Sequence, residues 1–173
     1  KIIGYLSILD LGNEIKTINP HLVFGCNFSI KKAILLEAGG FHPDAMPQEM
    51  IRYRGDGETH VSQYILTRSY KALYHPNASV YHLVSSNRIT EAYFRKRSYN
   101  QGISDAYTYI RSGFDNSLKQ RVRLLIRVLL PFLQLNSIKI RLQKAYLTGY
   151  SLHRKEVMSD HALYDWVMKD NYF

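Results

Sequence analysis

The hydrophobic and polar positions divide the chain into a first part with short apolar runs and a second part with helical periodicity. Short runs bounded by Gly, Pro or Asn predict strands, whereas apolar residues spaced three and four apart predict helices. The predicted strands cover residues 21–26, 71–74 and 78–82, and residues 1–20 are weakly organised around a strand-like segment at 2–8. The predicted helices cover residues 30–38, 59–69, 91–100 with a continuation to 109 beyond a break at Gly102, 117–130, 137–150 and 161–168.

The ends of these segments carry residues that favour helix boundaries. Asn27 or Ser29 can cap the helix over residues 30–38, and Gly39-Gly40 follows its last residue as a stop signal. Mixed α and β elements come first along the chain, and helices follow. The sequence therefore predicts an α/β portion over residues 1–113 and a helical C-terminal region over residues 114–173.

Charge and cysteine content narrow the class of protein. The chain has 173 residues and a formal charge of +9, and residues 88–155 hold 14 Lys and Arg against 3 Asp and Glu. Such a basic segment attracts phosphate, anionic lipid or nucleic acid. The single cysteine, Cys26, excludes an intrachain disulfide and fits the reducing cytoplasm. The most apolar run contains Arg127 and Pro131, and it is shorter than the ~20 residues of a membrane-spanning helix.

An acidic segment provides the first candidate for chemistry. Asp56 and Glu58 flank Gly57, directly before the helix predicted to begin at Thr59. Glycine lets the backbone come close to a ligand, and a helix N-terminus favours negative charge. Two carboxylates near histidines at strand ends suit a general-base or metal-assisted site. The alternative is that both acids only cap the helix.

Four segments, taken in order, carry a resemblance to a known family. They are Gly25-Cys26-Asn27-Phe28-Ser29-Ile30-Lys31-Lys32, Glu37-Ala38-Gly39-Gly40-Phe41, Gly55-Asp56-Gly57-Glu58-Thr59 and Tyr74-His75-Pro76-Asn77-Ala78-Ser79-Val80-Tyr81-His82. Over roughly residues 21–113, they resemble the second, acceptor-side half of a family 2 glycosyltransferase of the GT-A fold. The resemblance implies a partial GT-A, Rossmann-like sheet portion followed by a helical C-terminal region.

The same resemblance implies an activity. A family 2 glycosyltransferase moves a sugar from a nucleoside diphosphate sugar to a glycan or lipid-linked acceptor, here with inversion of the anomeric carbon. The family's nucleotide-binding half carries an Asp-x-Asp motif, and no such motif precedes Gly25. We therefore expect the 173 residues to be inactive by themselves.

The resemblance also implies roles for individual residues. When Val61-Ser62 is aligned with the Leu-Ser pair of the family, Glu58 stands at the catalytic carboxylate and Asp56 is the second candidate for the base. Such a carboxylate takes the proton of the acceptor hydroxyl. A divalent ion, Mn²⁺ or Mg²⁺, neutralises the leaving diphosphate. His82 matches a strand end that supplies a metal ligand in some GT-A enzymes, and a hydrogen-bonded structural histidine is the alternative.

Further polar positions are candidates for binding substrate. Asn27 can hydrogen-bond a sugar hydroxyl, or it can cap the following helix. Arg97 or Arg95 can clamp a diphosphate because guanidinium groups match phosphate oxygens with paired donors, whereas the alternative is a solvated helix face. His42 and His75 each precede a proline and are interpreted as loop or turn residues.

A basic stripe suggests a further partner. Lys119, Arg123 and Arg127 are four residues apart on a helix that is otherwise apolar. Basic amphipathic helices are typical of contact with an anionic membrane surface, although an ordinary helix packed on the α/β portion has the same pattern. The interpretation is a cytoplasmic protein in contact with a membrane.

Two other classes of function remain as alternatives. A non-catalytic module that binds carbohydrate, lipid or a partner chain would need no nucleotide-binding half. A nucleic-acid binder would suit the charge and the 14 tyrosines. Since no recognition motif is present and apolar stretches interrupt the basic half, we expect no nucleic-acid partner.

Overall fold

The computed structural model describes residues 6–113 and 137–172, together with Val122 and Ile126. These residues are mostly helical and include a two-stranded antiparallel sheet. The strands are β1 (Lys16–Ile18) and β2 (Ala72–Tyr74), and the helices are α1 (Lys32–Glu37), α2 (Glu58–Thr67), α3 (Glu91–Arg111), α4 (Ser137–Ser159) and α5 (His161–Met168). Short three-ten helices cover Pro20–Leu22, Gly25–Asn27, Gln48–Tyr53 and Ser86–Ile89.

The chain forms two compact units, each described by itself. Of the described residues, the first unit holds 6–43, 56–85 and 170–172, and the second holds 44–55, 86–113 and 137–169. The first unit thus contains both strands with α1 and α2, and the second contains α3, α4 and α5.

The core of the first unit lies around α2. The buried side chains Ala38, Val61 and Ile65 pack with the partly buried Phe28, Ile30, Leu35 and Tyr64. On the same helix, the buried hydroxyl of Ser62 donates a hydrogen bond of 3.1 Å to the carbonyl of Pro20. This bond ties α2 to the three-ten helix Pro20–Leu22.

The predicted glycine stop after α1 is confirmed. Gly39 and Gly40 have φ angles of 86° and 82°, in the left-handed region that favours glycine. Their N–H groups donate to the carbonyls of Leu36 and Leu35, at 3.0 and 2.9 Å. These bonds satisfy carbonyls at the end of the helix that have no partner within it. The predicted side-chain cap is wrong, because Lys31 is the N-cap residue and makes no side-chain capping bond.

Of the three predicted strands after residue 20, only the one at 71–74 forms. Residues 21–26 are divided between two three-ten helices, with only Val23 and Phe24 extended between them. The first begins where the side chain of Asn19 accepts a hydrogen bond from the N–H of His21. Residues 78–82 form no strand. Among the described residues, the strand that pairs with β2 is β1, and Lys16 lies opposite Tyr74. The prediction that the chain combines helices with strands is confirmed, but the described residues form no Rossmann-like sheet.

In the second unit, α3 and α4 lie side by side and run in the same direction. The guanidinium of Arg141 donates two hydrogen bonds to Glu91 near the start of both helices, and the rings of Tyr109 and Tyr150 lie 6.2 Å apart further along. The same two hydrogen bonds lower the pKa of Glu91. Gly102 does not interrupt α3, which is continuous from Glu91 to Arg111.

The helical prediction for the end of the chain is confirmed. Helix α5 has the predicted bounds, and Asp160 caps it by accepting a hydrogen bond of 3.1 Å from the N–H of Leu163. Helix α4 continues nine residues beyond the predicted end, because His153 and Val157 are buried and extend its packed face. Within the described part of the chain, no helix is long and apolar enough to cross a membrane.

Three predictions depend on residues that the structure does not describe. The boundary after Gly113 stays a prediction, because residues 114–121 lie outside the described ranges. The predicted helix 117–130 lies outside them as well, apart from Val122 and Ile126. The same holds for its basic stripe of Lys119, Arg123 and Arg127.

Candidate functional site

Glu58 is the first residue of α2, and its carboxylate faces the turn formed by Gly25–Asn27. Its Oε1 accepts a hydrogen bond of 3.2 Å from the N–H of Gly25, and the side chain remains half-exposed. A Cβ atom added to Gly25 would lie 3.5 Å from this oxygen, in van der Waals contact. Because Gly25 has no side chain, it leaves this side of the Glu58 carboxylate open. The helix N-terminus stabilises its negative charge.

Asp56 lies in a different environment from Glu58. It is 9% exposed, and its Oδ1 lies 2.6 Å from Nδ1 of His42, which is 2% exposed. Because a carboxylate only accepts hydrogen bonds, Nδ1 of His42 carries the proton. Gly57, between the two acids, has a φ of 57° and a ψ of −123°. This conformation is open to glycine and costly for other residues, and it separates an interior carboxylate from a surface one.

His42 lies in a loop, as interpreted from the sequence, but its side chain is buried in a cluster of aromatic rings. Its ring stacks on that of His60 with centroids 4.0 Å apart, and the ring of Tyr172 meets it edge-on at 5.3 Å. His60 donates from Nε2 to the carbonyl of Ala38 at 2.7 Å. No sequence pattern pointed to this cluster, because its members come from a loop, from α2 and from the end of the chain.

Asn27 does not cap α1. Its Nδ2 donates a hydrogen bond of 2.7 Å to the carbonyl of Ala78. This bond ties the Gly25–Asn27 turn to the segment that was predicted as a strand. Gly25, two positions earlier in the same turn, donates its N–H to Glu58.

His82 makes a contact of the kind expected for a structural histidine. Its Nδ1 donates to the carbonyl of Leu6 at 2.8 Å. Over the described ranges, no group of three or more His, Cys, Asp or Glu side chains is placed to hold a metal ion. The described residues alone therefore form no site of this kind for Mn²⁺ or Mg²⁺.

Arg95 and Arg97 lie on α3 in the second unit, whereas the other candidate residues lie in the first. Arg95 is exposed. Arg97 is half-buried, and its Nε is buried without a hydrogen-bond partner in the part of the chain that the structure describes. Arg97 is therefore the more buried of the two arginine side chains.

The first unit contains a cavity of ≈ 730 Å³ next to the Gly25–Asn27 turn. Cavities of this volume hold small-molecule ligands in many proteins. Asn27 and His82 both line the cavity, and its wall also includes Lys31, Tyr70 and Tyr74. The structure therefore brings two of the predicted site residues to one binding volume.

Comparison with known proteins identifies no relative. No protein-family model, curated protein or solved structure matches the chain.

Proposed function

We propose that this protein is a family 2 glycosyltransferase that transfers a sugar from a nucleoside diphosphate sugar to a glycan or lipid-linked acceptor. In this proposal, residues 21–113 are the acceptor-side portion of a GT-A domain. The observation that carries it is the position of Glu58, a half-exposed carboxylate at a helix N-terminus beside a glycine turn. The order of the four resembling segments along the chain supports the choice of family.

In the proposed reaction, Glu58 is the general base. The acceptor oxygen forms a bond to the anomeric carbon of the donor sugar, and the bond from that carbon to the diphosphate breaks. The carboxylate of Glu58 takes the proton of the acceptor hydroxyl, and the diphosphate leaves with the electron pair of the broken bond. Attack from the side opposite the diphosphate inverts the anomeric carbon. Asp56 suits this role less well, because it is buried and bound to His42.

The remaining candidates have binding roles in the proposal. Asn27 would hold an acceptor hydroxyl at the wall of the cavity. Arg97, with Arg95 as the second candidate, would pair with the diphosphate. Mn²⁺ or Mg²⁺ stays a prediction, in which His82 provides one ligand and the others come from outside the described residues.

Substitution of the two acids tests the proposal. In the complete gene product, supplied with a panel of nucleotide sugars and Mn²⁺ or Mg²⁺, we expect Glu58→Gln to lower kcat by about 10²- to 10⁴-fold. KM for the donor should change little, because the carboxamide keeps the shape of the side chain. Asp56→Asn should have a smaller effect on kcat.

The matched control is Glu37→Gln, which removes an exposed carboxylate from the same unit. It should leave transfer unchanged. Transfer at the rate of the unmodified protein in both Glu58→Gln and Asp56→Asn would refute the proposal.

A non-catalytic binding module is the second candidate, and the cavity of ≈ 730 Å³ favours it. Such a module would bind a glycan or lipid without turnover of any donor. Turnover separates the two cases: a module binds its glycan or lipid, as calorimetry would show, but consumes no nucleotide sugar before or after Glu58→Gln.

A further inference from the structure

One residue, His42, binds both positions of the turn that leads into α2. Its main-chain N–H donates a hydrogen bond of 3.3 Å to the carbonyl of Gly57. Its side chain binds the residue before, because Nδ1 lies 2.6 Å from Oδ1 of Asp56 and donates to it. Glu58 follows these two residues and is the first residue of α2. His42 therefore holds the two positions directly before Glu58.

The turn depends on such contacts for its direction. Gly57 has a φ of 57° and a ψ of −123°, and glycine adopts positive and negative φ about equally well. The backbone of Gly57 by itself therefore does not select one direction for the chain that enters α2. Within the turn, the N–H of Thr59 donates to the carbonyl of Asp56 at 3.0 Å. The two bonds from His42 add a support from outside the turn.

The side chain of His42 is itself held in place. The residue is 2% exposed, and its ring lies face to face with that of His60 in the first turn of α2, with centroids 4.0 Å apart. Tyr172 meets the ring edge-on at 5.3 Å. The start of the same loop is closely packed as well, since a Cβ atom at Gly39 would overlap the carbonyl oxygen of Asp170. Such packing leaves the imidazole few alternative positions.

We propose that His42 is a positioning residue for Glu58. It acts through Asp56 and Gly57, and it keeps the carboxylate of Glu58 where Oε1 accepts the N–H of Gly25 at 3.2 Å. The inference rests on the proposed transferase function, in which Glu58 takes the proton of the acceptor hydroxyl. A general base must lie within hydrogen-bond reach of that proton, and a displacement of about 1 Å can lower a rate about 10²-fold.

This arrangement gives Asp56 a role other than that of a second base. Its carboxylate is buried and connects the ring of His42 to the turn. Asp56→Asn keeps an oxygen that accepts a hydrogen bond from Nδ1. The smaller loss of kcat expected for this variant than for Glu58→Gln agrees with a role in positioning.

Kinetics of two substitutions at His42 test the proposal in the complete gene product. We expect His42→Leu to lower kcat about 10²-fold and to change KM for the donor little, because a displaced base slows proton transfer without weakening donor binding. His42→Asn should recover most of this loss, since the asparagine amide can donate to Asp56 in place of Nδ1. Rates are compared per folded protein, measured by circular dichroism at the assay temperature.

Val61→Ala is the matched control. Val61 is 0% exposed and belongs to the core around α2, so its truncation loosens the packing of the same helix. It leaves His42 and the turn unchanged, and kcat should keep the value of the unmodified protein. An equal loss of kcat in Val61→Ala and His42→Leu would show an effect of loosened packing and overturn the proposal. An equal loss in His42→Asn and His42→Leu would overturn it too.

A spectroscopic measurement follows the position of Glu58 without any substrate. The chain has 10 glycines, so labelling with ¹⁵N-glycine gives a simple NMR spectrum, in which Gly25→Ala identifies the signal of Gly25 by its loss. Glu58→Ala shows where this signal lies without the carboxylate. In His42→Leu the signal should move towards that position, and in His42→Asn it should stay near that of the unmodified chain. A signal unchanged by His42→Leu would overturn the proposal.

The positioning role and the transferase activity fail in different ways. A large loss of kcat in Glu58→Gln without any loss in His42→Leu would leave Glu58 as the base and overturn the role of His42. Unchanged transfer in both Glu58→Gln and Asp56→Asn would refute the transferase activity. A Gly25 signal that still responds to His42→Leu in that case would support the contact by which His42 holds Glu58.

Discussion

A single glycine separates two carboxylates with different chemistry. Asp56 is buried against His42, whereas Glu58 is half-exposed and bound to the N–H of Gly25. The left-handed φ of Gly57 allows the chain to turn between them. The sequence alone left both acids as candidates for a base. Burial now distinguishes their environments, because Glu58 remains partly open to solvent and Asp56 does not.

At the residue scale, the pair of His42 and Asp56 should contribute measurably to stability. Replacing His42 by leucine leaves the Asp56 carboxylate buried without the imidazole. Removing one partner of a buried ionisable pair typically lowers the free energy of unfolding by about 3 kcal/mol. Urea unfolding followed by circular dichroism would measure the loss.

His161→Leu is the control, because this histidine is exposed at the start of α5. It should change the free energy of unfolding by less than about 0.5 kcal/mol. Equal unfolding curves for His42→Leu and the unmodified chain would contradict a structural role of the pair.

At the element scale, two glycines bring α3 and α4 together. A methyl group at Gly102 would overlap the backbone of α4 at Tyr146, and one at Gly149 would overlap the backbone of α3 at Tyr99. Glycine is a poor helix former, and this property predicted a break in α3. The close approach of the two backbones explains why glycine is present inside a continuous helix.

We therefore expect Gly102→Ala to destabilise the chain, although helix propensity alone would make this substitution stabilising. In an open helix the substitution stabilises by about 1 kcal/mol. Here the added methyl group must push α4 away, and overpacking of this kind lowers the free energy of unfolding by about 1–3 kcal/mol. Thermal and urea unfolding would measure the change.

Ser151→Ala, on the exposed side of α4, is the matched control and should be neutral or slightly stabilising. A Gly102→Ala chain that is more stable than the unmodified one would mean that α3 and α4 do not touch at these glycines.

At the scale of the whole molecule, the positive charge is concentrated in one unit. The described residues of the second unit include 13 Lys and Arg against 7 Asp and Glu, whereas those of the first include 5 against 6. The basic segment that the sequence outlined is thus largely a property of the helical unit. An anionic partner should meet the protein there.

The acid sensitivity of the whole chain should depend on His153. This residue is 2% exposed, and neither ring nitrogen has a hydrogen-bond partner within the described ranges. Burial, with a smaller effect of Arg52, lowers the pKa of His153 to about 4. Its ordinary pKa in an unfolded chain is about 6.5. The unfolded state therefore binds a proton that the folded state excludes between these two values.

Consequently, the part of the free energy of unfolding that depends on neutral His153 is present above pH 6.5 and is lost as the pH falls towards 4. The expected loss from this residue is about 3 kcal/mol, which His153→Leu should abolish. The free energy of unfolding in urea at neutral and acidic pH measures it, and His161→Leu should keep the pH dependence of the unmodified chain. An identical dependence in His153→Leu would show that other groups cause the acid sensitivity.

Local patterns predicted the helices better than the strands. Apolar spacing placed α2 and α5, and Gly39-Gly40 stopped α1, because helix bonds join residues three to five positions apart. The segment at residues 78–82 looked like a strand by composition, but a strand exists only with a partner, and β2 pairs with β1. The sequence left Asn27 as either a helix cap or a sugar-binding residue, and its side chain donates to the carbonyl of Ala78, 51 residues away.

The sequence by itself determined which residue types the protein has available, where most helices lie, and that positive charge is concentrated in the second part of the chain. Only the tertiary structure decided that Asp56 is buried with His42 while Glu58 faces the turn at Gly25. It also decided that Gly102 is a helix contact. The reason is physical, since helical periodicity is a local property, whereas burial depends on which distant segments meet.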